Sequence, residues 1–81
     1  MESVATLRVL ESHRLELTFD TGEVRIFDAT PYLEMDAFRR LKDPALFARA
    51  FVGFGTVCWP RDLDIAPETL YDRSRAIETH L

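Results

Sequence analysis

Residues 14–28, RLELTFDTGEVRIFD, alternate apolar and polar side chains on both sides of a glycine turn. Leu15, Leu17 and Phe19 fall on one face, with Arg14, Glu16 and Thr18 on the other. A period of two with charged alternates belongs to a sheet that buries one face and wets the other. Gly22 supplies the positive φ of a tight connection. Beyond it, Val24 and Ile26 alternate with Arg25 and Phe27. If Phe19 faces Val24, then Leu17 faces Ile26 and all four share the core, which requires an even-length loop. An odd loop sets Leu17 against Arg25. The apolar pattern therefore predicts the even loop. Upstream, VATLRVL (4–10) also alternates, and placing Leu10 opposite Arg14 sets Arg8 against Glu16 as a cross-strand ion pair. Residues 4–28 read as a three-stranded antiparallel meander.

The texture then changes. Thr30-Pro31 is a helix-start signal, and Leu33, Ala37, Phe38 and Leu41 follow at helical spacing. Asp43-Pro44 repeats the signal, with Asp43 as the cap and Leu46, Phe47 and Ala50 expected to face inward. Two short helices with a break near Asp43 are predicted. FVGFGTVCW (51–59) returns to strand character as a hairpin, with Val57 and Trp59 on one face and Thr56 and Cys58 on the other. Pro60 ends that strand because it cannot donate to a ladder. Pro67 opens a final helix with an inward stripe of Leu70, Ser74, Ile77 and Leu81, widened by Tyr71. The predicted class is α+β: an N-terminal three-stranded meander, two short helices, a second short β-hairpin and a C-terminal helix, as a single domain over 1–81.

Eighty-one residues bury a modest share of their surface, so the core must be rich in large side chains, and six Phe, two Tyr and one Trp meet that need. One cysteine cannot form an internal disulfide. The longest uncharged run, residues 50–60, is too short to span a bilayer, and residues 1–20 are too charged for a signal-peptide core, so a cytoplasmic location is expected. The net charge is −4, with eight acids and five bases in the first forty residues and six acids and five bases in the rest. An acidity spread in this way argues against nucleic acid as a direct partner, since phosphate contacts demand a basic face. The small cluster Arg39-Arg40-x-Lys42 is the exception.

The densest chemistry lies in GTVCWPRDLDIAPETLY (55–71). Asp62-x-Asp64, with Glu68 beyond, could be drawn as carboxylate metal ligands, but hard cations need several oxygens in a cage and a D-x-D pair is a weak signal. Paired carboxylates for hydrolysis need a cleft, and GFG (53–55) lacks the helix and lysine of a phosphate loop. His13 and His80 have no fixed acid or thiol partner in the sequence, so a Cys58–His nucleophile pair is not predicted. No catalytic, cofactor or metal residue is assigned. The residues singled out for structure or interaction are Trp59, Pro60, Asp62, Asp64, Pro67, Glu68 and Tyr71. They read as a corner in which Pro60 ends a strand, the aspartates span to a helix opened by Pro67, and Leu70-Tyr71 fold back on Trp59.

These residues, with Phe19-Asp20-x-Gly22 and Phe27-Asp28, resemble the pattern of a widespread bacterial family of small proteins of unknown function. The likeness runs from about Val4 to Tyr71, and the short GFG turn departs from the longer, polar loop of relatives. The resemblance implies a compact α+β domain and no catalytic residues. Relatives resemble stand-alone proteins, domains joined to a helix-turn-helix, or antitoxin-side partners of small toxin-like proteins. The function expected is a non-catalytic protein-interaction module, antitoxin-like toward a small basic protein, through a protein partner or self-association as a homodimer. Two alternatives stand beside it. One is a DNA-associated transcriptional regulator whose dimer aligns Arg39, Arg40 and Lys42; the other is a small metal-dependent enzyme using Asp62 and Asp64.

Overall fold

Two antiparallel sheets share one apolar core. The structure, a computed structural model, describes residues 2–77. The first sheet contains β1 (Val4–Leu10), β2 (Arg14–Phe19), β3 (Val24–Asp28) and a short β7 (Arg75–Ala76), in that spatial order. The second contains β4 (Phe51–Gly53), β5 (Thr56–Trp59) and β6 (Leu63–Ile65). Between them in sequence lie 3-10 turns at Thr30–Tyr32 and Asp36–Lys42 and a one-turn helix α1 (Pro44–Phe47). A second helix, α2 (Pro67–Asp72), precedes β7. Leu15, Leu17, Phe19 and Phe27 from the first sheet meet Val57, Trp59, Leu63 and Ile65 from the second, with Leu33, Leu41, Phe47 and Leu70 closing the sides.

The first hairpin follows the alternation: Leu10 faces Arg14 and Arg8 faces Glu16, their ion pair closing at 3.0 Å. Ser12 and His13 both take left-handed φ to make this turn, and His13 Nε2 donates to the Leu41 carbonyl at 2.9 Å. Imidazole and Phe47 ring meet edge-on at 4.9 Å, so the loop is pinned to α1. At the other end of β1, a bulge beside Ala5 re-aims the chain, and Val4 N–H donates to the Gly55 carbonyl at 2.8 Å, joining the two sheets. Gly55 sits at φ +74 with Ser3 only 3.2 Å from where a Cβ would stand, so a larger residue there would be strained and would press on Ser3.

The second hairpin corrects the predicted register. Thr18, not Phe19, faces Val24, so Leu17 faces Arg25 and Leu15 faces Phe27 across an odd loop of Phe19 to Glu23. Phe27 is fully buried, while Val24 and Ile26 are half-buried on the outer face. Burying one phenyl ring outweighs burying two aliphatic side chains partly, provided that Arg25 finds partners for its charge where it lies. It does. Its Nε and Nη2 donate to the hydroxyl and carbonyl of Ser74 at 2.7 Å each, and Nη1 reaches Glu23 at 2.6 Å. Its guanidinium lies 4.3 Å from the centre of the Tyr71 ring.

That network also ends the last helix early. The sequence predicts a stripe through Ser74, Ile77 and Leu81, but α2 stops at Asp72. Arg25 captures the Ser74 carbonyl and the Ser74 hydroxyl donates back to Tyr71 O at 3.0 Å, so the chain leaves the helix. It continues as β7 along β3, covering what would otherwise be an open sheet edge, and Ile77 is exposed. Leu81 and His80 lie outside the described residues.

The 30–42 segment forms 3-10 turns rather than an α-helix. Met35 is extended and breaks it, so that Leu33 and Leu41 are buried and Ala37, expected inward, is exposed. Asp28, not Thr30, starts the segment, accepting from Thr30 N–H at 3.0 Å. Asp43 caps α1 as predicted, accepting from Ala45 N–H at 3.0 Å. Of the residues expected inward here, Phe47 is buried and Ala50 half-buried, but Leu46 is exposed.

The Tyr71–Glu23–Arg25 cluster sets a pH dependence. The Tyr71 hydroxyl donates to Glu23 at 2.7 Å; this bond, and then Arg25, hold the Glu23 carboxyl below its ordinary value. The same bond raises the Tyr71 phenol. A carboxyl lowered by folding contributes stability that is complete above its unfolded pKa and is lost as pH falls through the folded value. A phenol raised by folding contributes stability that is complete below its unfolded pKa and is lost as pH rises through the folded value. Urea midpoints measured from pH 3 to 11 should therefore plateau at neutral pH and fall at both ends. Tyr71→Phe should remove the part of the alkaline fall due to the phenol and flatten the acid one. Asp28, held low by its bonds to Thr30, retains an acid limb of its own. Unchanged limbs in Tyr71→Phe would contradict this assignment.

Candidate interaction surface

Trp59 ends β5 with its side chain turned inward and 2% exposed. Its indole N–H donates to the Phe47 carbonyl at 3.0 Å, and the ring lies tilted on Phe47 at 5.8 Å and edge-on to Phe38 at 6.5 Å. The expectation that Leu70-Tyr71 fold back on Trp59 is therefore corrected for Tyr71. The indole is held by α1 and the 36–42 turn, whereas Tyr71 packs edge-on against Phe19 at 5.2 Å and bonds Glu23. An aromatic at the end of β2 and a carboxylate in the following turn offered Tyr71 both a stacking and a hydrogen-bonding partner.

Pro60, Arg61 and Asp62 turn the chain, with Arg61 and Asp62 both in left-handed conformation (φ 70° and 58°). Asp tolerates this region better than most residues, which accounts for Asp62 locally. The chain then forms β6, so the predicted second hairpin is in fact a three-stranded sheet. Leu63 faces Trp59, Asp64 faces Cys58 and Ile65 faces Val57. Ile65 O also accepts from the buried Thr56 hydroxyl. Leu63 and Ile65 are buried and Asp64 is exposed, an alternation too short to be recognised beside two prolines. Pro67 opens α2 and Glu68 stands exposed in its first turn.

The outer face of this sheet carries the row Phe51, Cys58, Asp64, one residue from each strand. Phe51 is 48% exposed, and Phe54, at the hairpin tip with φ 54°, is fully exposed. A shallow groove of about 310 Å³ runs past Phe51, Phe54, Cys58, Asp62, Leu63 and Asp64. Among the described residues neither Asp62 nor Asp64 accepts a hydrogen bond or forms an ion pair. The two phenylalanines are the feature that sequence reasoning missed. The signal was present: an aromatic flanked by glycines at a turn cannot reach the core, and Phe51 shares the face of Cys58.

Cys58 donates weakly to Gly53 O at 3.5 Å, and burial, reinforced by the Asp64 charge, pushes its thiol up, away from the nucleophilic thiolate. His13 is engaged at the far hairpin. Among the described residues no three His, Cys, Asp or Glu side chains cluster to hold a metal. The basic cluster is dispersed: Arg39 pairs with Asp36 and Lys42 with Glu34, each at 3.1 Å, while Arg40 donates to Pro60 O at 2.8 Å. No described helix is long and apolar enough to cross a membrane.

Fold and surface together define a small two-sheet α+β domain with an apolar hairpin tip and an acidic rim. The chain belongs to the family described as protein of unknown function (DUF2442), whose model matches residues 4–76. No curated protein and no solved structure matches it.

Proposed function

We propose that this chain is a non-catalytic interaction module that docks a small basic protein on the outer face of β4–β6, in the manner of an antitoxin-side partner. The observation that carries this reading is the fully exposed Phe54 beside half-exposed Phe51, on a groove lined by Asp62, Asp64 and Arg61 in which neither carboxylate forms an ion pair among the described residues. Aromatic side chains at such positions are the usual energetic anchors of an interface. Unpaired carboxylates around them favour a cationic partner and speed its encounter. The neutral thiol of Cys58 supports a role without covalent chemistry and suits a reducing cytoplasm.

The test is capture by the tagged chain from cells that express it natively, followed by rebinding of the identified partner from purified components at two salt concentrations. A stoichiometric partner of net positive charge, bound less tightly at high salt, is expected. No partner, a partner of net negative charge, or a homodimer that occupies Phe51 and Phe54 would contradict the reading.

A further inference from the structure

We propose that a second pocket, between the 36–42 turn, α1 and the β5–β6 connection, binds a small phosphate monoester. Arg40, Arg49 and Arg61 line a cavity of about 140 Å³ whose apolar walls include Leu41, Leu46 and Pro60. No carboxylate lines it, and among the described residues none of the three arginines forms an ion pair. Their neighbours Arg39 and Lys42 are both paired, in a chain whose acids outnumber its bases by fourteen to ten. Three arginines without ion pairs at one hollow run against that composition, although Arg61 also borders the groove of Asp62 and Asp64. A ligand of high negative charge complements such a lining.

The pocket is partly organised in advance. Arg40 is half-buried, and its Nη2 is tied to the carbonyls of Pro60 at 2.8 Å and Arg61 at 3.4 Å, which fixes the guanidinium plane at the wall and leaves Nε and Nη1 to donate singly, while Arg49 and Arg61 keep whole forks. Guanidinium forks match phosphate oxygens in pairs. A phosphate monoester carries about −1.5 to −2 charges at pH 7, against −1 for a carboxylate, so three arginines favour it. The volume falls below the roughly 300–1,000 Å³ of pockets for drug-sized ligands, which limits the ester to a short apolar body against Leu41, Leu46 and Pro60. Leu46, exposed although its sequence pattern points inward, supplies part of that wall.

Calorimetric titration with phenyl phosphate at constant ionic strength tests the assignment, with inorganic phosphate and benzoate as comparison probes. One saturable site is expected, at least tenfold tighter for phenyl phosphate than for either comparison probe. Affinity should weaken from pH 7.5 to 5.5 as the ester takes up its second proton near pH 6. Arg49→Gln/Arg61→Gln should raise Kd at least tenfold with the urea midpoint unchanged, since among the described residues neither side chain holds a structural hydrogen bond. Should that variant unfold, the pH arm on the native chain decides alone. Absence of saturation, equal affinity for benzoate or inorganic phosphate, or affinity indifferent to pH would overturn the proposal.

Discussion

Trp59→Ala destabilises the fold by about 3–5 kcal/mol, the cost of emptying a fully packed aromatic site. A domain of this length has only some 4–12 kcal/mol in total on a per-residue scale, so the variant should be largely unfolded well below the native midpoint. The size of the effect follows from what the indole touches. It is 2% exposed, lies tilted on Phe47 and edge-on to Phe38, and donates to the Phe47 carbonyl at the end of α1. Trp59→Phe keeps most of the ring contact and removes one of the two donors to that carbonyl, which retains Ala50 N–H at 3.2 Å, so a smaller loss of about 1–3 kcal/mol is expected from the lost bond and ring volume. Urea denaturation followed by far-ultraviolet circular dichroism measures both. A loss under about 1 kcal/mol for Trp59→Ala would mean that the indole is not a core residue.

Phe54→Asn has the opposite signature. The side chain is fully exposed and Asn accepts the left-handed φ at this position, so stability should stay within about 0.5 kcal/mol of the native chain. Partner affinity should fall by about 2 kcal/mol or more, roughly thirtyfold in Kd, because an exposed aromatic anchor is removed. Phe51→Ser should weaken binding similarly but cost some stability, since its ring also packs over Gly53. Retained affinity in Phe54→Asn would move the docking face elsewhere on the molecule. Read together, the Trp59 and Phe54 variants test the two sides of one small sheet separately: the inner side for the fold and the outer side for the proposed partner.

The sequence was most informative where neighbouring residues decide the geometry. The Arg8–Glu16 pair could be placed from alternation and charge alone, and Asp43-Pro44 announced its helix cap through local hydrogen bonding. It misled where a distant partner decided. The register of β3 turns on whether Arg25 finds partners for its charge, which depends on Ser74 and Tyr71, 49 and 46 residues further on. That same pairing cuts α2 short, although the helical stripe through Ser74 and Ile77 is locally sound. Nearness in sequence points Tyr71 toward Trp59, but Phe19 and Glu23, some fifty residues away, hold it instead. The aspartates drew attention as possible ligands, yet Asp62 owes its position partly to a left-handed turn. The phenylalanines that anchor the candidate surface were counted as core because nothing local distinguishes a buried from a protruding aromatic except the glycines around it.

The central claim is that residues 51–64 present a face for a cationic protein and that Asp62 and Asp64 serve that face rather than the fold. The direct measurement is partner binding by Asp62→Asn/Asp64→Asn beside the native chain, with the urea midpoint taken on the same samples. The account predicts an unchanged midpoint and loss of the partner. Full retention of the partner, or a collapse of the midpoint, would contradict it.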